Sequence, residues 1–140
     1  MKVWITGYIG SGKSTLTSKL KPVFEFDLIE IRLRDKGYNI TELSRKKFNE
    51  LVKSEVKLLD NIYIDGIQCC DYYSKGDKVY FVKYNIFKST ARAIKRDGKK
   101  NSLRNIFDNI VLFFRLKMLY LKAKMNKDVI KDLKKINFNK

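Results

Sequence analysis

The 140-residue chain contains no histidine, so the ligand set of most zinc sites cannot be completed. Its 2 cysteines, Cys69 and Cys70, are adjacent, which suits neither a disulfide framework nor metal-ligand spacing. They read as packing thiols just after a strand in a reducing compartment, and cytoplasmic residence is the expectation. No apolar run is long enough to cross a bilayer: the longest, near Ile110 to Leu121, is broken by Arg115 and Lys117. The apolar start is only Val3 to Ile5 and runs into glycines, so no leader peptide is expected. A membrane partner is therefore not expected, beyond association with its surface.

Acidic residues are also scarce, 15 against 31 lysines and arginines, a formal net charge of +16. The imbalance is uneven: residues 1–70 hold 12 bases and 9 acids, a net +3, whereas residues 71–140 hold 19 and 6, a net +13. Such a surface attracts nucleotides, polynucleotides and acidic membranes alike. AT-rich codon usage, which inflates lysine, is the competing explanation. Apolar residues are plentiful, at 44% with 13% aromatic, so a folded core is expected despite 33% charged residues. The length fits one domain.

Along the chain, Lys2 to Thr6 reads as a buried strand and Gly12 to Leu20 as a helix that stops before the single proline, Pro22. Val23 to Asp27 is a second strand, followed by one or two helical turns over 28–36 that Gly37 ends. Leu43, Phe48, Leu51, Val52, Val56 and Leu59 recur at helical spacing between Thr41 and Asp60. Ile62 to Asp65 is a third strand and Val79 to Tyr84 a fourth. Phe87 to Arg96 reads as a basic helix, residues 97–101 as a loop, Leu103 to Leu121 as a long helix and Lys127 to Ile136 as a short one. A fifth strand has no clear signal; Ile110 to Phe114 is the only candidate. Strands alternating with helices imply right-handed crossovers and a parallel sheet covered on both faces, an α/β architecture.

One motif carries chemistry. Gly7-x-x-x-x-Gly12-Lys13-Ser14 matches the Walker A pattern at every fixed position and lies between a strand and a helix. Its glycines let the backbone curl until successive N–H groups face phosphate oxygens. Gly7, Gly10, Ser11, Gly12, Lys13, Ser14 and Thr15 are thus the candidate ATP-phosphate ligands, with Lys13 reaching the β and γ phosphates and the Ser14 hydroxyl on Mg²⁺. At about 7% glycine, a chance match in a chain of this length is on the order of one in a hundred.

The run Ile5-Thr-Gly-Tyr-Ile-Gly-Ser-Gly-Lys-Ser-Thr-Leu16, an acid closing the second strand and an arginine-bearing helix after the fourth resemble the P-loop kinases. That group includes nucleoside monophosphate kinases, dephospho-coenzyme A kinase and phage deoxynucleotide or polynucleotide kinases. The resemblance covers residues 1–100. It implies a three-layer P-loop α/β/α sandwich with four to five parallel strands in the order 2-3-1-4-5, a lid near 86–101, and a basic helical part over 102–140 within one domain. It also implies ATP and Mg²⁺ as cofactors. Asp27 is then the candidate catalytic base, with Glu30 a weaker partner; the alternative is a helix cap, since Asp27 and Glu30 fit a capping box. Asp65 is a candidate metal ligand beside Ser14, against a plain Asp-Gly turn. Arg92 and Arg96, four residues apart on one helix face, are candidate catalytic lid arginines, against a solvated basic face shared with Lys95, Lys99 and Lys100. Arg32 and Arg34 are positioned to hold an acceptor phosphate. Tyr8, Phe24, Phe26, Tyr38, Tyr72 and Tyr73 are either base-stacking or core residues.

Three functions follow. The first is a kinase that phosphorylates a nucleotide acceptor, a deoxynucleoside monophosphate by preference. The second is a kinase acting on DNA or RNA, with the basic C-terminal half as a groove for the polyanion. The third is a P-loop ATPase or nucleotide-dependent binding module, against which stands the lack of an extended Walker B segment.

Overall fold

The computed structural model describes residues 1–83, 85–98, 102–136 and 138. Strands β1 (Lys2–Thr6), β2 (Val23–Glu25), β3 (Ile62–Asp65), β4 (Lys78–Phe81) and β5 (Val129–Ile130) form one sheet. Every pairing is parallel and the order is β2-β3-β1-β4-β5, the 2-3-1-4-5 arrangement that the resemblance implies.

β1 is central because both of its faces are apolar. Val3 and Ile5 enter one layer and Trp4 the other, and all three are fully buried, as a parallel strand covered on both sides requires. The one polar atom of the Trp4 side chain, Nε1, donates to Asp77 Oδ2 at 3.2 Å.

Among the described residues, six α-helices surround the sheet: α1 (Lys13–Thr17), α2 (Ile29–Asp35), α3 (Arg45–Leu58), α4 (Cys69–Tyr72), α5 (Ile86–Asp97) and α6 (Ser102–Met125). Against Trp4, Ile64 and Val79 pack Leu33 of α2, Val52 and Val56 of α3, Cys69 of α4, and Leu112, Leu116 and Leu119 of α6. Leu16 of α1, with Leu20, Leu133, Ile136 and Phe138, covers the opposite face at Val3, Ile5 and Tyr63. Ser44 caps α3 by accepting from Lys47 N–H at 3.2 Å, and Asn85 caps α5 by accepting from Lys88 N–H at 2.7 Å.

Several elements depart from the sequence expectation. The fifth strand is not Ile110–Phe114, which continues α6, but Val129–Ile130, inside the stretch expected to be helical. Lys127 at φ 59° ends the helical path, and buried Asp128 fixes the chain beside β4 through Tyr73 Oη, Gly76 N–H and Lys78 Nζ. β2 ends at Glu25, so Asp27 falls in a 3-10 turn over Phe26–Leu28. α3 starts at Arg45 rather than near Thr41, because Ser44 supplies the cap and Ile40–Glu42 is a separate 3-10 turn. α1 is shorter than expected, and α4 was not anticipated. Tyr84, Lys99, Lys100 and Asn101 of the expected fourth strand and following loop lie outside the described residues.

Glu55 of α3 ties that helix to α2. It is 4% exposed; Arg32 Nε donates to its Oε2 at 2.7 Å and Lys36 Nζ pairs with its other oxygen. Burial pushes the carboxyl pKa up, but the hydrogen bonds and charges of Lys36 and Arg32 outweigh it and hold the value below the ordinary one. A depressed acid contributes stability above its unfolded pKa and loses it as pH falls through the folded pKa. Glu55→Gln is therefore expected to cost about 1–3 kcal/mol near neutral pH, the partial exposure of Arg32 and Lys36 moderating the loss. Urea melts should show the deficit shrinking as pH drops below the usual glutamate range. A deficit that stays constant with pH contradicts this assignment.

Candidate active site

The loop that follows β1 owes its shape to two glycines. Gly10 (φ 83°) and Gly12 (φ 88°) occupy the left-handed region, and Gly12 stands at the N-terminus of α1. Ser11 N–H closes the turn on Tyr8 O at 3.0 Å. Packing makes Gly10 stricter still: a Cβ there would lie 2.2 Å from the Ser89 carbonyl oxygen and 3.0 Å from Ala93 N, both on α5. Gly10→Ala is accordingly expected to cost about 2–4 kcal/mol in urea unfolding and to weaken nucleotide binding, since strain and overlap add. An unchanged midpoint with unchanged binding would contradict this packing.

Asn109 fastens the loop from behind. Its Oδ1 accepts from Ile9 N–H at 3.0 Å, while its Nδ2 donates to Ile9 O at 3.2 Å and Thr90 Oγ1 at 3.0 Å. One fully buried side chain thus joins the loop, α5 and α6. Sequence reasoning missed it; the available signal was an amide in register with the apolar residues of the core-facing side of α6.

The loop forms the floor of a cleft of about 780 Å³. The β2 and β3 side carries Glu25, Asp27 and Asp65, the β4 side Arg92, Lys95 and Arg96, and Ile67 and Gln68 complete the lining. Lys13 lies half-buried between them. Burial pushes its ammonium pKa down and Arg96 adds to that, while Asp65 and Asp27 pull it back up, leaving it below the ordinary value.

The cleft brings together every residue expected at the phosphate site except Gly7, which lies behind it with its Cα facing Ser11 and Val82. Asp65 ends β3, and its Oδ2 accepts from Thr17 Oγ1 at 3.1 Å; Thr17 Oγ1 also contacts Ser14 O at 3.3 Å, so the acid is fixed to the helix that bears Ser14. Asp27 does not cap α2, whose N-cap is Leu28 without a side-chain bond; its Oδ1 accepts from Gln68 Nε2 at 3.4 Å. Arg92 reaches over the loop, since a Cβ on Gly12 would stand 3.7 Å from its Nη1. Arg96 is held at 3.0 Å by Asp97, which in turn receives Asn105 Nδ2 at 3.1 Å.

Other candidates are engaged elsewhere. Arg32 serves Glu55, and Arg34 pairs with Glu30 at 3.7 Å; none of these four lines the cleft. Phe26 stacks on Tyr72 at 5.3 Å and, with Tyr73, belongs to the core, against which Tyr8 and Phe24 also pack. Glu25, Ile67 and Gln68 are lining residues that sequence reasoning did not single out, because nothing in their local pattern marks them.

No family model matches the chain, and no curated protein sequence matches it. Among solved structures, TT1252 from Thermus thermophilus superposes over 75% of this chain and 78% of its own, with a TM-score of 0.50 at 17% identity. The chain has a P-loop α/β fold. A gluconokinase from Sinorhizobium meliloti 1021 covers 77% of this chain and 73% of its own (TM-score 0.44, 14% identity). A shikimate kinase from Bacteroides thetaiotaomicron covers 97% and 91% (TM-score 0.46, 21% identity).

The P-loop residues fit a triphosphate with Mg²⁺. Among the described residues, Ser11 Oγ and Gln68 Oε1 of the lining residues are buried without a hydrogen-bond partner, as are Thr6 Oγ1 and Ser89 Oγ outside the cleft. Gly12 leaves the loop without a Cβ where Arg92 Nη1 reaches over it. No cluster of three or more acidic, histidine or cysteine residues suits a metal among the described residues. Mg²⁺ needs none, since it is commonly held by one or two protein oxygens together with phosphates and water.

Proposed function

We propose that this protein is an ATP- and Mg²⁺-dependent phosphotransferase acting on a hydroxyl group. The observation that carries the reading is the division of the cleft: a phosphate-binding floor, cations from α5 on one side, and the carboxylates of Glu25 and Asp27 on the other. When bound, ATP with Mg²⁺ supplies the γ-phosphoryl group.

Lys13 lies where it neutralises charge on the phosphate oxygens, and Arg92 and Arg96 add guanidinium charge from α5. Ser14 and Asp65 are the residues that would hold Mg²⁺. Asp27 is within reach of an acceptor entering between α2 and α4, orients its hydroxyl and takes its proton. Gln68 holds that carboxylate in place.

A nucleoside monophosphate, the acceptor that the resemblance implies, is the second reading. It is less well supported, because it would bring a phosphate dianion against Glu25 and Asp27 while Arg32 and Arg34 are paired elsewhere. A strand-terminal hydroxyl of DNA or RNA remains within the hydroxyl class, and the +13 half of the chain supports it. The test is a label-transfer screen from [γ-³²P]ATP over nucleosides, sugars, nucleoside monophosphates and 5′-hydroxyl oligonucleotides, at low and high salt. Transfer to a hydroxyl acceptor is expected, steeply salt-sensitive only for a polymer. ATP hydrolysis with no transfer to any acceptor would mean an ATPase or binding module instead.

A further inference from the structure

Helix α6 is apolar on two opposite sides. One side, with Leu112, Leu116, Leu119 and Ala123, is buried in the domain. On the other, Leu103, Phe107, Ile110, Phe114, Met118 and Leu121 follow at steps of four, three, four, four and three residues and form a continuous stripe. The least exposed of these, Ile110, is 48% exposed and Leu103 is 81% exposed. Over 24 residues the helix spans about 36 Å. A ridge of that length and apolarity marks an interaction surface rather than scattered exposure.

The flanks decide what covers it. At 100° per residue, Lys117 and Lys124 fall on one shoulder of the stripe and Arg104 and Lys122 on the other; Asp108, paired with Arg104 at 3.8 Å, is the helix's one acid. A second copy would set these cationic shoulders against each other. A nucleic acid would satisfy the cations but leave the apolar ridge facing sugars and phosphates. A lipid surface bearing anionic headgroups answers both, because phenylalanine, leucine and methionine side chains enter the acyl boundary while lysines and arginines stay at headgroup level.

We propose that the outer face of α6 docks this protein on an anionic lipid surface. The helix lies along the surface: no helix among the described residues is long and apolar enough to cross a membrane. This docking is independent of the P-loop chemistry on the far side of the helix.

The test is co-sedimentation of the full chain with vesicles of phosphatidylcholine alone or mixed with phosphatidylserine. Wild type is expected to pellet with the mixed vesicles, less so as salt rises. Phe107→Ser, Phe114→Ser and Leu121→Ser combined should lower partitioning by about a hundredfold, since each side chain contributes burial energy. Lys117→Gln and Lys124→Gln, which leave core and stripe intact, should each lower it about fivefold on the anionic vesicles alone. The second pair keeps the test decisive if the triple variant fails to fold by circular dichroism. The proposal is overturned if wild type stays in the supernatant with anionic vesicles, or if both sets of variants pellet like wild type. It is equally overturned if the stripe instead drives a concentration-dependent dimer in light scattering, or retention on single-stranded DNA, without vesicle binding.

Discussion

Lys13→Ala is expected to lower kcat by about a hundred- to a thousandfold, the scale seen when one preorganised charge is removed from a transition state. The size of the effect follows from where the ammonium lies. It is half-buried, with Asp27, Asp65 and Arg96 close enough to act on its charge, in the cleft that the loop floors. Burial holds its pKa below the ordinary value against the pull of Asp65 and Asp27, so the ammonium is partly desolvated where it stands. Folding should survive the change: the thermal midpoint is expected to stay level or rise slightly, because a desolvated ammonium is gone. Label transfer and melting measured on the same preparation check both halves. Wild-type kcat in Lys13→Ala would show that the loop does not handle the transferred group.

Asp27→Asn carries the second large expectation, a fall in kcat of about 10²–10⁴ with ATP affinity unchanged. Asparagine preserves size and can still accept from Gln68 Nε2, so the neighbouring geometry is retained while the basic oxygen is lost. Steady-state kinetics with the best acceptor from the screen, together with nucleotide titration, separates the two outcomes. If Asp27 merely shaped the start of α2, the asparagine variant would turn over at the wild-type rate. The structure already weakens that alternative, since Leu28 is the N-cap and no side chain caps α2.

What could be read from residues alone was decided by local, repetitive signals. β1, the glycine loop and the start of α1 are contiguous in sequence, so the Walker A pattern and the apolar run before it located the phosphate-binding floor directly. The parallel sheet followed from the alternation of elements. β5 was invisible because two residues carry no periodicity; Val129 and Ile130 pair with Val79 and Tyr80 of β4 once Asp128 has bonded a distant turn and strand. Asn109 was hidden for a related reason. Its partners, Ile9 and Thr90, are 100 and 19 residues away, and an asparagine on the core-facing side of a helix has no local signature of such a bond. Arg32 and Arg34 had only their position to recommend them, and the nearby carboxylates of Glu55 and Glu30 claimed both. The need for glycine at position 10 was legible as a motif, but its second cause, the backbone of α5 pressed against it, is tertiary.

The most direct test of the whole account is isothermal titration calorimetry of ATP into the folded protein with Mg²⁺ present, repeated with Gly10→Ala and Lys13→Ala. Saturable one-to-one binding by wild type, weakened in both variants, is the expected result. No heat of binding from well-folded wild-type protein, with either adenine or guanine triphosphate, would contradict it.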